Sequence, residues 1–182
     1  RLVVATDSAE VARAAERFGA EVFRSAKSHP TGSDRTAEAV SRVGGDICLN
    51  VQADNFGLTG RLLDRVITAF QRQRGVQYGT LAVRIKHETE LFNPNTVKVI
   101  ASHDNMALWF SRYPIPFLQH PTARPRTAQF VYRKHIGVYL FRRDGLEAFR
   151  RWRQSPMEKA ESLEQLRILD HGVRMTLFDV PF

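Results

Sequence analysis

The chain has a single cysteine, Cys48, so no internal disulfide can form. Set in an apolar run, Cys48 reads as a core residue of a protein kept under reducing conditions. Long hydrophobic runs are missing as well. None approaches the ~20 apolar residues needed to span a bilayer. No signal peptide precedes the first strand, so a cytoplasmic location is expected and a membrane partner is not. Internal repeats and low-complexity tracts are absent. Acid is scarce relative to base: 19 Asp and Glu stand against 27 Lys and Arg, a net charge of +8. That imbalance favours an anionic partner. Nucleic acid is not the expected one, because no binding motif and no uninterrupted basic tail is present. The densest basic run, Arg150-Arg151-Trp152-Arg153, reads as the solvated end of a helix with Trp152 as its buried anchor.

At 182 residues the chain is long enough for one full core, and a single domain over 1–182 is expected. Arg1 to Thr6 reads as a strand. Asp7 or Ser8 caps the next helix, with Glu10 able to close a capping box with Asp7. A short strand, Glu21 to Arg24, precedes a polar loop from Ser25 to Ser33. A helix from about Asp34 to Val43 then leads into Ile47 to Val51, an apolar run that reads as a buried parallel strand. Leu62, Leu63, Val66, Ile67 and Phe70 mark an amphipathic helix. Tyr78 to Ile85 is a strand, and His87 to Leu91 a helical turn. Thr96 to Ala101 and Met106 to Ser111 flank a hairpin turn at His103-Asp104-Asn105. A proline-punctuated loop precedes a strand from Val131 to Phe141, two helices (the second from about Pro156 to Asp170), and a last strand from Val173 to Val180. This alternation predicts an α/β fold with a mainly parallel sheet and an accessory antiparallel hairpin.

Four clusters carry candidate chemistry. His29 to Arg35 is a Gly-containing polar loop entering a helix, suited either to holding an anion or to ordinary capping by Ser33 or Asp34. Asn50 to Phe56 places Gln52 and Asp54 just past a strand's carboxyl end. Open α/β sheets bind ligands there, and a carboxylate at that place can hold a divalent cation against phosphates. The same Asp also reads as a turn or cap residue. Phe92 to Val99 and Phe110 to Pro116 bring Arg112 to a strand end, as a carboxylate clamp or a surface ion pair. His135 and Tyr139 share a strand face across Gly137, leaving a polar-walled cleft, with Glu161 to Arg167 as a further polar segment. A histidine so placed also serves as a structural residue.

Taken in order, Val4-Ala5-Thr6-Asp7, Gly32-Ser33-Asp34-Arg35, Phe92-Asn93-Pro94-Asn95, Phe110-Ser111-Arg112, His135-Ile136-Gly137-Val138-Tyr139 and Ser155-Pro156-Met157-Glu158-Lys159 through Arg167 resemble the 3-deoxy-manno-octulosonate (Kdo) cytidylyltransferases, the CMP-Kdo synthetase family of lipopolysaccharide biosynthesis. The resemblance covers nearly the whole chain. It implies a Rossmann-like nucleotidyltransferase fold and a homodimer whose hairpin region helps form the interface. The implied reaction makes CMP-Kdo and pyrophosphate from CTP and Kdo with magnesium. It also implies that Thr31, Gly32, Ser33 and Arg35 face the cytosine, and that Gln52 lies near the sugar, with Gln52 and Asp54 as the catalytic residues. Asp54 would hold the metal, and Arg112, His135, Tyr139, Glu164 and Gln165 would form the sugar pocket.

Against the family pattern the chain is expected to be truncated at both ends. A basic phosphate loop should precede Arg1, and a segment with a second metal-binding Asp should follow Phe182. Within the chain, Ala53-Asp54-Asn55-Phe56 stands where the family has Gly-Asp-Glu-Pro. If that Gly has positive φ, Ala53 costs ~1–2 kcal/mol. Asn55 removes a negative charge, and a weakened magnesium site is expected. Two other functions stay open: a catalytically inactive relic that binds sugar or nucleotide, and a cytidylyltransferase for another acidic sugar.

Overall fold

A computed structural model describes residues 1–25 and 29–181. The elements follow as β1 (Val3–Thr6), α1 (Ala9–Arg17), β2 (Glu21–Arg24), α2 (Gly32–Val43), β3 (Ile47–Val51), α3 (Gly60–Arg72), β4 (Tyr78–Arg84) and α4 (Glu88–Phe92). After them come β5 (Lys98–Ala101), β6 (Ala107–Ser111), α5 (Arg126–Gln129), β7 (Arg133–Arg142), α6 (Arg143–Arg151), α7 (Pro156–Glu161), α8 (Leu166–Asp170) and β8 (Met175–Asp179). The expected α/β architecture is present. No helix among the described residues is long and apolar enough to cross a membrane.

Six strands form the main sheet, and β1 and β2 pair separately as a parallel two-stranded unit. β4 and β8 are parallel neighbours, whereas β7 runs against β3, β4 and β5. β3, β4, β5 and β8 therefore point one way, with β7 reversed among them and β6 folding back on β5 as the expected hairpin. One expectation fails here. Ile47 to Val51 is not a parallel-paired, buried strand: its ladder neighbour is the antiparallel β7, and most of it is only half-buried. Apolar content gave the strand correctly but carries no information on the direction of its partner.

β7 is long because one of its edges serves two neighbours in turn. Its first residues, Arg133 and Lys134, pair with β5, and residues 138–142 pair with β3. Its other edge pairs with β4 throughout, but the register slips: Thr80 faces Tyr139 while Leu81 faces Ile136. Gly137 and Val138 are thus an extra pair of residues bulged out of the ladder. One sheet face packs under α2, α6, α7 and α8 through Tyr78, Val99, Phe110, Tyr139, Phe141, Phe149 and Leu166. The other packs under α3 through Val66, Phe70, Leu81, Val83, Val138 and Leu140. Val66 and Phe70, both read from the apolar stripe of α3, are 4% and 0% exposed.

Local details correct the expected boundaries. Ser8 caps α1 by accepting from Val11 N–H, so the capping box of Asp7 with Glu10 is not formed. Thr31, not Ser33 or Asp34, caps α2, accepting from Asp34 N–H and moving the helix start forward to Gly32. Residues 26–28 of the expected polar loop lie outside the described residues. The helix expected from Pro156 to Asp170 is two short helices, broken at Ser162, whose φ is 53°. A complete capping box, Ser155 with Glu158, and Pro156 in the first turn start α7. Trp152 anchors the end of α6 but is half-buried rather than buried, with its ring stacked on His171 at 4.2 Å.

Candidate active site

The break at Ser162 is what builds the site. Had the helix continued, Glu164 and Gln165 would lie on a rod whose faces turn ~100° per residue. Instead they sit in the link between α7 and α8, and both enter the space above the carboxyl end of β3. Gln165 is 1% exposed. Its Oε1 accepts from the Tyr139 hydroxyl at 3.0 Å, and its Nε2 stands 3.5 Å from His135 Nδ1. Glu164 accepts from two directions: Ser33 N–H at 3.1 Å on Oε2 and Gln52 Nε2 at 3.0 Å on Oε1. Glu164 therefore occupies the anion position at the N-terminus of α2, where backbone N–H groups and the helix dipole favour negative charge.

Asn50 Nδ2 donates to Ser33 Oγ at 3.3 Å, tying the end of β3 to the same helix terminus. Beyond β3 the chain turns over the β7 bulge. Gln52 N–H donates to Gly137 O at 3.4 Å, and Asn55 Nδ2 donates to Gly137 O and Gln52 O at 3.1 and 3.3 Å. Gly137 is needed for this approach: a Cβ there would lie 2.8 Å from Gln52 Oε1 and 3.3 Å from Asn55 Nδ2. Ala53 has no positive φ, so the strain considered for a lost glycine does not arise. Asn55 is a fitted residue as well, because a carboxylate in its place would face two carbonyl oxygens.

The bulge also explains how His135 and Tyr139 meet. Residues four apart on a regular strand are separated by ~13 Å. Here the two rings are 5.4 Å apart, and the Phe110 ring meets His135 edge-on at 5.1 Å. Burial pushes the His135 pKa down to about 3, so the ring is neutral at physiological pH. Burial, with Glu164 and Asp54 nearby, holds the Tyr139 hydroxyl well above its usual range. Glu164 is raised by burial against the opposing effect of the Ser33 and Thr31 donors.

Behind this layer lies a charged network that the sequence reading did not single out. Arg167, 1% exposed, donates to both oxygens of Asp34 at 3.0 and 3.3 Å and to both of Glu158 at 2.8 and 2.6 Å. Its guanidinium lies 4.1 Å over the Phe149 ring. Asp34 in turn accepts from the Thr31 hydroxyl at 2.7 Å. The network locks the first turn of α2 to α7 and α8. The Ser155–Glu158 capping box is a local signal of it that the sequence carries.

Of the residues named from sequence, Ser33, Gln52, Tyr139, His135, Glu164 and Gln165 form one hydrogen-bonded cluster. Gly32 adjoins it, 3.5 Å from Gln52 Nε2 to an added Cβ. Thr31 supports it as the cap of α2. Arg112 is held at the helix break itself. Its Nε donates to Glu161 O at 2.7 Å, and its terminal nitrogens to Pro94 O at 3.0 Å and Ser162 O at 3.5 Å. Two of its five N–H groups lie outside these bonds, enough for one carboxylate. Lys98, 0% exposed, fastens the same corner by donating to the carbonyls of Asn93, Thr96 and Arg112. Arg35 is turned away from the cluster, donating to Asp7 and Ser25. Asp54 is exposed on the turn, with Asn55 Nδ2 3.4 Å from its carboxylate. No group of three or more potential metal ligands exists among the described residues. A lone open carboxylate nevertheless fits magnesium, which keeps waters and takes one or two carboxylates plus substrate phosphates.

Comparisons with known proteins speak to the family and the fold. The family profile described as cytidylyltransferase matches residues 1–175. A 3-deoxy-manno-octulosonate cytidylyltransferase from Geobacter metallireducens is 38% identical over 100% of this chain and 73% of its own length. One from Pasteurella multocida is 37% identical over 96% of this chain and 72% of its own length. Among solved structures, a CMP:2-keto-3-deoxy-manno-octonic acid synthetase complexed with CTP superimposes with a TM-score of 0.86 at 35% identity. It covers 98% of this chain and 71% of the other. A protein from Bacillus anthracis named as a glucose-1-phosphate thymidylyltransferase has a TM-score of 0.59 at 12% identity, covering 98% of this chain and 66% of the other, which speaks to the fold alone.

Proposed function

The chain belongs to the cytidylyltransferase family, and on that premise we propose that its site joins CTP to Kdo, giving CMP-Kdo and pyrophosphate. The observation that carries this reading is the continuous cluster from Ser33 through Glu164, Gln165 and Tyr139 to His135. It sits where α2 begins and β3 ends. A nucleotide laid across the N-terminus of α2 meets Gly32, Ser33 and Gln52. A sugar laid over the β7 bulge meets His135, Tyr139 and Gln165. The two substrates then join at the Asp54 turn.

In the reaction a sugar hydroxyl oxygen bonds to the α-phosphorus while the bond to the pyrophosphate oxygen breaks. The nucleophile's proton leaves to solvent or to pyrophosphate. This chain's residues supply mostly position. Neutral His135, the Tyr139 hydroxyl and the Gln165 amide offer uncharged polar contacts suited to sugar hydroxyls. Arg112, through its two remaining N–H groups, supplies a fork for the sugar carboxylate. Asp54 would hold a magnesium ion against the phosphates, and that ion when bound neutralises phosphate charge. With one carboxylate in the described site, its affinity in the absence of nucleotide is weak.

A second copy of the chain completes the reading. Tyr113 and Phe117 are each 74% exposed and Leu108 55%, on or just after the β5–β6 hairpin. Apolar side chains so displayed favour an isologous contact between two hairpins. The test of the function is pyrophosphate release from CTP and Kdo with magnesium, run beside equilibrium binding of each substrate. Release that needs both substrates supports the reading. Binding without release marks a binding module, and the absence of both refutes the assignment.

A further inference from the structure

Thr80 is wholly buried, at the register slip of β4, and its hydroxyl touches two partners. It donates to Val138 O at 2.8 Å, the carbonyl that the bulge removes from the ladder, and it lies 2.8 Å from His135 Nε2. A carbonyl oxygen only accepts, so the one hydroxyl proton of Thr80 is committed to Val138. His135 must then be the donor in the second contact, which places its single proton on Nε2 and leaves a lone pair on Nδ1. That lone pair faces the Gln165 side chain, and only the amide nitrogen can meet it without repulsion. The carboxamide is thereby fixed with Oε1 toward the Tyr139 hydroxyl, which donates to it and also lies beside the Glu164 carboxylate. One threonine proton thus sets the polarity of three successive groups.

We propose that Thr80 is a positioning residue for the sugar side of the site, selecting the His135 tautomer and through it the orientation of Gln165 and Tyr139. What the pocket offers a ligand follows from this order. The groups these bonds leave over are Tyr139 oxygen lone pairs and the remaining Gln165 N–H, on side chains that are 3% and 1% exposed. A sugar hydroxyl that both donates and accepts satisfies the pair. With the opposite His135 tautomer, Nδ1–H would face Gln165, the carboxamide would reverse, and Tyr139 would be forced to accept. The pocket would then show the ligand an inverted pattern. The ligand half of this inference rests on the sugar reading proposed above. The tautomer half does not.

Nitrogen-15 spectra of the imidazole ring in the ligand-free protein test the first half directly, because protonated and unprotonated ring nitrogens have widely separated shifts. His135 is expected to be neutral with the proton on Nε2. A proton on Nδ1 overturns the proposal without any variant. Thr80→Val removes the hydroxyl at nearly constant volume, and Thr80→Ser keeps it. The valine variant is expected to lose the pure Nε2–H form and to bind Kdo or CMP-Kdo about tenfold more weakly, the worth of roughly one hydrogen bond. The serine variant is expected to match the parent in both readouts. An unchanged tautomer and unchanged affinity in Thr80→Val overturn the proposal. A tautomer shift in a protein that binds neither sugar ligand upholds the positioning by Thr80 and removes the sugar reading instead. Should Thr80→Val fail to fold, the parent and Thr80→Ser spectra still decide the tautomer.

Discussion

Replacing Arg167 by methionine should be among the most damaging single changes in the chain, and the reason is electrostatic rather than volumetric. The side chain fits a site where Arg167 is 1% exposed and the Glu158 and Asp34 side chains 3% and 10%. Methionine retains most of the packing against Phe149 but leaves two carboxylates buried without a counter-ion. Removing one partner of such a network costs ~3–5 kcal/mol. That is a large share of the ~5–15 kcal/mol that holds a domain folded. If the cost is unpaired charge, it should be largely reversed by neutralising the partners. Asp34→Asn, Glu158→Gln and Arg167→Met together should recover to within ~2 kcal/mol of the parent, since buried ion networks are often replaceable by neutral residues. The asparagine that replaces Asp34 can still accept from Thr31, and the glutamine that replaces Glu158 can still close the capping box on Ser155. Urea denaturation followed by tryptophan fluorescence and by far-ultraviolet circular dichroism provides the measurement, with coincident transitions required. A triple variant as unstable as the single one, or a single variant costing under ~1 kcal/mol, would refute the reasoning, because buried-charge values of this kind leave no room for either.

Other perturbations read other parts of the site. His135 is depressed to about 3, so the unfolded chain binds more protons than the folded one between that value and its ordinary pKa of 6.5. Stability should therefore be fully present above pH 6.5 and fall as pH drops toward 3, by up to ~1.4 kcal/mol per unit; His135→Gln should flatten that part of the stability profile. Glu164 is shifted the other way by burial. Its contribution should decline as pH rises above the ordinary carboxylate range, and Glu164→Gln should remove that decline in the same denaturation series. Gly137→Ala should displace Gln52, whose flexible end meets the new Cβ. Stability should change by less than ~1 kcal/mol while CTP affinity falls about tenfold by calorimetry, the loss of one or two hydrogen bonds. Phe117→Glu should shift sedimentation from dimer toward monomer, whereas a parent that sediments as a monomer at micromolar concentration would dispose of the hairpin interface.

Much of the layout was legible because it is local. The α3 stripe, the β5–β6 hairpin with its turn at Asn105, and the strand from Ile47 to Val51 all follow from periodicity and turn chemistry over short windows. The family motifs brought Ser33, Gln52, His135, Tyr139, Glu164 and Gln165 into one expected site, and the structure joins them by hydrogen bonds. What was not legible depends on partners distant in sequence. Nothing in Ile47 to Val51 states that β7 will pair with it antiparallel. Ser162 adopts a left-handed conformation with neither glycine nor asparagine to announce it, so two helices read as one. Arg167 closes the Glu161 to Arg167 polar segment, and nothing in that segment names Asp34, 133 positions away, as its partner. Arg35 was expected at the nucleotide, but Asp7 at the end of β1 offers it a charge partner and turns it aside.

These misses share a cause, and it bears on why the site is where it is. A β-ladder satisfies its backbone groups regularly and leaves little to hold a ligand. Along the edge of β7 that regularity stops between the β5 pairing at Lys134 and the β3 pairing at Val138. Irregular partners complete the hydrogen bonds in the gap: Val97 O accepts from His135 N–H, and Gly137 O accepts from Gln52 and Asn55. The residues that meet there come from a strand end, a bulge, a helix start and a helix break. Each has polar groups that its own element does not use. The Ser33 N–H is left to Glu164 because a helix begins, Glu164 and Gln165 are available because one ends, and Val138 O is open to Thr80 because the ladder slipped. Sequence patterns describe regular elements, whereas this site is assembled from their interruptions, so the motifs named its residues more readily than they foretold its geometry.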